Sequence, residues 1–100
     1  MQAGGLEAQI KSDIEGNKVM VYSKSYCPFA AQTKQLLSSN GIDAKILELD
    51  QEGNGAEIQA TLKTMTNQST VPNVFINGKH IGGNSDIQAL GAAKIKEMVA

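Results

Sequence analysis

The sequence predicts an α/β domain: a central four-stranded mixed sheet with helices on both faces. Three observations predict it. Apolar residues at helical spacing alternate along the chain with short apolar runs that read as strands. An Asn-Gly pair joins the last two of those runs, and 100 residues are enough for one core but not for two. Residues 1–100 are therefore read as a single domain.

The elements follow in order. Leu6, Ile10 and Ile14 recur every four residues and align on one helical face, with Glu7, Lys11, Asp13 and Glu15 toward water. Gly16-Asn17 breaks that pattern. Val19 to Tyr22 is a compact apolar run, the signature of a strand buried on both faces. Ser23 to Cys27 is a polar loop, and Pro28 suits a first helical position because its fixed φ is already helical and its missing N–H is not needed there. That helix is expected to run to about Ser39, with Asn40-Gly41 as its stop. Lys45 to Leu49 reads as a second strand, Asp50 to Gly55 as loop, and Ala56 to Met65 as a helix with Ile58, Leu62 and Met65 on one face. Asn73 to Ile76 and Lys79 to Ile81 flank Asn77-Gly78, the two-residue signal of a type I′ hairpin. Gly82-Gly83 reads as a turn, Asn84 or Ser85 as a cap, and Asp86 to Val99 as a last helix with a break near Gly91. With a right-handed crossover in the strand–helix–strand unit, this order is the thioredoxin-like arrangement.

Composition narrows the chemistry. Nine lysines, no arginine and ten acids leave a net charge of -1, which supplies no footprint for nucleic acid. No apolar run reaches the ~18 residues that cross a bilayer. The expected compartment is the cytoplasm, or an organelle where a transit peptide has been removed. One cysteine excludes an internal disulfide and any four-cysteine metal site within one chain, so no permanent cofactor or metal is expected.

That cysteine stands directly before the helix begun by Pro28. Unpaired N–H groups and the positive end of the helix dipole favour a thiolate there, and Lys24 adds positive potential from the same loop. A lone cysteine without context is more often a small buried hydrophobe; the strand, loop and Pro-started helix around it reverse that reading. Val71-Pro72 precedes a strand where proline cannot donate to a ladder; without the surrounding pattern an ordinary trans loop proline is the better reading, whereas a cis bond would leave the Val71 backbone available to an extended peptide. Gly82-Gly83 allows close approach, and the N–H groups near Ser85 and Asp86 suit a carboxylate. His80 lies in the hairpin, and nothing in the sequence pairs it with Cys27. Met20, Met65 and Met98 read as core packing, Tyr22 as packing beneath the site and Tyr26 as lining its mouth.

Three motifs in order then carry a family resemblance from Lys18 to Leu90. Lys24-Ser25-Tyr26-Cys27-Pro28-Phe29, Gln68 to Ile76 and Asn77 to Asn84 together resemble a dithiol-class glutaredoxin. The resemblance implies a thioredoxin fold, Cys27 as nucleophile, a cis Pro72 and glutathione as co-substrate. It assigns Lys24 and Gln68 to the glycine carboxylate of glutathione, the Val71 backbone to its cysteinyl unit, the Ser85 N–H to the γ-glutamyl carboxylate and the Asp86 side chain to the α-ammonium. Thr70, Pro72 and Gly83 complete the groove. Phe29 keeps an apolar wall but lacks the hydroxyl of the tyrosine familiar at its position, and Ser69 replaces a basic residue found in many relatives.

Ala30 departs most, because dithiol members carry their resolving cysteine there. The position reads as a substitution that keeps a glutathione mixed disulfide from being resolved internally. The expected partners are glutathione, glutathionylated proteins and small mixed disulfides, met by a monomer. The rival expectation is a dimer bridging a [2Fe-2S] cluster through two Cys27 thiolates and two glutathione thiols.

Overall fold

The structure is a computed structural model that describes residues 2–100. Helix α1 (Gln2–Gly16) leads into strand β1 (Val19–Ser23), helix α2 (Pro28–Ser39) and strand β2 (Lys45–Glu48). Helix α3 (Gly55–Thr66), strands β3 (Asn73–Ile76) and β4 (Lys79–Gly82) and helix α4 (Asn84–Val99) complete the chain. The sheet order is β2-β1-β3-β4, with β1 parallel to β2 and antiparallel to β3, and β3 antiparallel to β4. This is the mixed sheet expected from the sequence. The four-residue strands β2 and β4 form its two edges.

Strand β1 organises both halves of the core because its side chains alternate between faces. Met20 and Tyr22 join Ile10 and Ile14 of α1, Ile58 and Leu62 of α3, and Phe75 of β3 on one face. Val19 and Val21 join Leu37 of α2, Val74 and Ile76 of β3, and Ile87 and Ile95 of α4 on the other. Leu6, Met65 and Met98 pack at the margins of these clusters. Tyr22 is fully buried with its ring edge-on to Phe75. Burial, with Asp13 adding to it, pushes its phenol well above the ordinary value.

Several boundaries differ from the sequence reading. Leu49 does not end β2 but starts a 3-10 turn over Leu49–Gln51, which turns the chain toward α3 within what reads as plain loop. Helix α3 begins at Gly55, where a Cβ would lie 1.9 Å from the Leu49 carbonyl oxygen, so only glycine fits under that turn. Gly82 belongs to β4, and α4 starts at Asn84 with Gly83 as its N-cap rather than Asn84 or Ser85. The hairpin turn is type I′ as expected, with φ of 52° at Asn77 and 81° at Gly78. The break in α4 is at Gly91, whose φ is 79°.

In β4, His80 pairs with Phe75 and Gly82 with Val74, so Ile81 is an extra residue in the ladder. Such a bulge sharpens the local twist. It leaves His80 opposite Phe75 while delivering Gly82 and Gly83 to the end of the sheet that carries Cys27.

Candidate functional site

Cys27 is the N-cap of α2 and is half-buried. Its backbone is extended, its N–H donates to the Lys24 carbonyl at 3.0 Å, and its carbonyl accepts the Ala31 N–H at 3.0 Å. No side chain caps the helix. The end of α2, with its unpaired N–H groups and positive dipole end, is therefore left to the sulfur and to whatever approaches it. Sγ lies 3.8 Å from the Val71 carbonyl oxygen, to which the thiol donates. Tyr26 and Phe29 stand out beside it, 71% and 61% exposed, whereas Ala30 is fully buried in the first turn of the helix.

The loop before Cys27 is held from a distance. Asp50, in the 3-10 turn after β2, accepts the Ser25 N–H at 2.9 Å through Oδ1 and the Ser25 hydroxyl through Oδ2. These two bonds, helped by the charge of Lys24, hold the Asp50 carboxyl below its ordinary range. Sequence reading missed this residue because it is 25 positions from Ser25 and carries no local signature.

The Val71-Pro72 bond is cis, as expected. The segment leading to it is organised by Gln68. Thr66 Oγ1 accepts the Gln68 N–H at 3.1 Å, and Gln68 Nε2 donates to the carbonyls of Thr70 at 3.1 Å and Pro72 at 3.0 Å. Gln68 Oε1 meets His80 Nε2 at 3.1 Å. Gly83 closes over the same place: a Cβ there would sit 3.6 Å from the Pro72 carbonyl oxygen and 3.9 Å from Gln68 Nε2.

Helix α4 begins beside this segment. Asp86 Oδ2 accepts the Gly83 N–H at 3.0 Å, so its carboxylate serves the helix start. Gly82 has φ of 127°, and a Cβ on it would come within 2.2 Å of Asp86 Oδ2. Buried Thr33 of α2 donates to Asn84 Oδ1 at 2.8 Å, and Asn84 Nδ2 donates to Gln32 Oε1 at 2.8 Å. The starts of α2 and α4 are thereby tied together.

The structure thus unites Cys27 with Val71, Gln68 with Thr70 and Pro72 beside Gly83, and Asp86 with Gly83. Lys24, Phe29 and Ser85 lie on the same segments, but among the described residues no hydrogen bond joins Lys24 to Gln68. No group of three or more metal-ligating side chains occurs among the described residues, and no helix there is long and apolar enough to cross a membrane. A groove of about 650 Å³ lies at the far end of β1, around Lys18, Ile42, Lys45 and Lys96.

Known proteins share this fold. The family model described as Glutaredoxin matches residues 19–81. Glutaredoxin-C6 of Oryza sativa subsp. japonica is 52% identical over 83 residues, 83% of this chain and 74% of that protein. The chloroplastic monothiol glutaredoxin-S12 of Arabidopsis thaliana is 48% identical over 82 residues, 81% of this chain and 46% of that protein. A crystal structure of a buckwheat glutaredoxin-glutathione complex superposes with a TM-score of 0.92 at 37% identity, covering 98% of this chain and 90% of that one. The fold is thus thioredoxin-like, and the chain belongs to the glutaredoxin family.

Proposed function

We propose that this chain is a glutathione-dependent thiol-disulfide oxidoreductase that removes glutathione from mixed disulfides through Cys27 alone. The observation that carries the reading is a single thiol at an uncapped helix start, 3.8 Å from the Val71 carbonyl, with a buried alanine where a second thiol would stand. The similar buckwheat protein bound to glutathione supports the substrate.

In the first step the Cys27 thiolate attacks the glutathione sulfur of a substrate mixed disulfide. The Cys27–glutathione S–S bond forms, the old S–S bond breaks, and the substrate leaves as a thiolate. A second glutathione thiolate then attacks the glutathione sulfur of this intermediate, releasing oxidised glutathione and regenerating the Cys27 thiolate. Each exchange conserves electrons between sulfurs. Lys24, Gln68 and the Val71 backbone would hold the tripeptide, and the start of α4 at Ser85 would receive its γ-glutamyl carboxylate. Holding the tripeptide aligns its sulfur with Sγ, which is where most of the acceleration would arise. With Ala30 at the resolving position, reactions that need two enzyme thiols are outside its reach.

A glutathionylated peptide, free glutathione and mass detection test this. The expected result is release of the peptide thiol through a single +glutathione adduct on Cys27, abolished in Cys27→Ser. Turnover by Cys27→Ser would overturn the assignment. A coloured dimer that loses its absorbance when glutathione is withdrawn would replace it with cluster binding.

A further inference from the structure

The amide of Gln68 can be oriented by counting donors. Its Nε2 faces the carbonyls of Thr70 and Pro72 at 3.1 and 3.0 Å, groups that only accept, so both N–H hydrogens are used there. Its Oε1 therefore faces His80 Nε2 at 3.1 Å. An amide oxygen also only accepts, so this ring nitrogen must carry a hydrogen. His80 is then either the Nε2–H tautomer or the imidazolium. Its ring stands against Phe75, centroids 5.3 Å apart, across from which it sits in the β3–β4 ladder.

We propose that His80 is a positioning residue for glutathione: by fixing Gln68 Oε1 it keeps the Gln68 N–H groups beside Pro72 and Gly83, ready for the glycine carboxylate. The inference rests on the glutathione reading above and adds to it a residue that acts through Gln68. A carboxylate is a stronger acceptor than a peptide carbonyl, so a ligand can take over one N–H without the side chain turning. Without the His80 hydrogen the amide loses its anchor. It can then present its oxygen to the carboxylate, and its orientation must be set during binding. The effect belongs in KM, since His80 has no contact with Sγ.

The first test is spectroscopic. Because His80 is the one histidine of the chain, its ring ¹⁵N shifts are read without ambiguity. The expected neutral form is Nε2–H; a neutral Nδ1–H tautomer would overturn the proposal. The second test uses a glutathionylated peptide as substrate. His80→Phe, which keeps a ring on Phe75, is expected to raise KM about fivefold, the worth of one neutral hydrogen bond, with kcat unchanged. His80→Gln restores an N–H at similar reach and is expected to return KM toward the unsubstituted value, which a general folding defect would not allow. In a Gln68→Ala background His80→Phe is expected to add nothing. An equal KM increase in both backgrounds, or a parallel fall in kcat, would overturn the role. Failure of the glutathione reading looks different, because the unsubstituted chain would then leave the peptide intact. That outcome removes the positioning role as well while leaving the tautomer assignment standing.

Discussion

The two helices that start beside the thiol are secured in opposite ways. At α2 the N-cap side chain is the Cys27 thiol, no side chain closes the helix end, and the preceding loop is held from outside by Asp50. At α4 the N-cap is Gly83, and the helix's own Asp86 takes its N–H. A helix end that is to present a sulfur cannot spend its first N–H groups on a cap, so its order has to come from another element. An end that carries no thiol at its N-cap can be built from adjacent residues. The Thr33–Asn84 bond sets the distance between them.

The contrast can be broken hardest at Gly82. Alanine there would meet both a φ of 127° and Asp86 Oδ2 at 2.2 Å. Gly82→Ala is expected to cost about 3 kcal/mol, roughly 10–20 °C in Tm for a domain of this size. An unchanged melting curve would show that the α4 start does not depend on its local construction. Thr33→Val tests the link between the two ends. It removes one buried hydrogen bond, for an expected loss of about 1 kcal/mol in denaturant melts. A neutral outcome would mean that the two helix starts are positioned independently by the sheet.

Asp50→Asn is the mildest change and the most informative about the α2 side. Asp50 is exposed, so at neutral pH the melting curve is expected to stay put while peptide deglutathionylation falls a few-fold. The pH dependence has a definite sign. A carboxyl held below its ordinary range favours the folded loop as the carboxylate. Its contribution is present above the ordinary aspartate range and is lost as pH falls through the lowered folded-state value. The Ser25 amide resonance is expected to follow that titration below the ordinary value of 3.8. An inflection at or above it would detach Asp50 from the loop.

What the sequence reveals of this site depends on how local each cause is. The four strands, the four helices, the type I′ turn and the break at Gly91 all follow from spacing and from residues with restricted dihedrals, and each is found within a few positions of its expected place. The helix start at Cys27 and the bend at Val71-Pro72 are legible for the same reason, since Pro28 and Pro72 restrict the backbone around them. Asp50 and His80 are not. Their partners, Ser25 and Gln68, are 25 and 12 residues away, and the contacts exist only because the 3-10 turn and the β3–β4 hairpin register bring the segments together. The α4 boundary misleads for a related reason. Asn84 looks like a cap, but its side chain reaches across to Thr33 and Gln32, which leaves capping to Gly83 and Asp86.

The short outer strands of the sheet have a consequence for behaviour in a crowded solution. A free strand edge is a template on which another chain can add by backbone pairing. Here each edge is only four residues long. The β2 edge carries Lys45, ion-paired with Asp13, and Glu48, ion-paired with Lys34, while β4 opens with exposed Lys79 and His80. An incoming strand would find few pairing groups and would have to displace or approach charge at each edge. Strand β1, whose continuous apolar run would be the most dangerous if uncovered, lies inside the sheet between β2 and β3. The segment that leads directly to Cys27 is thus shielded from misassembly on both sides.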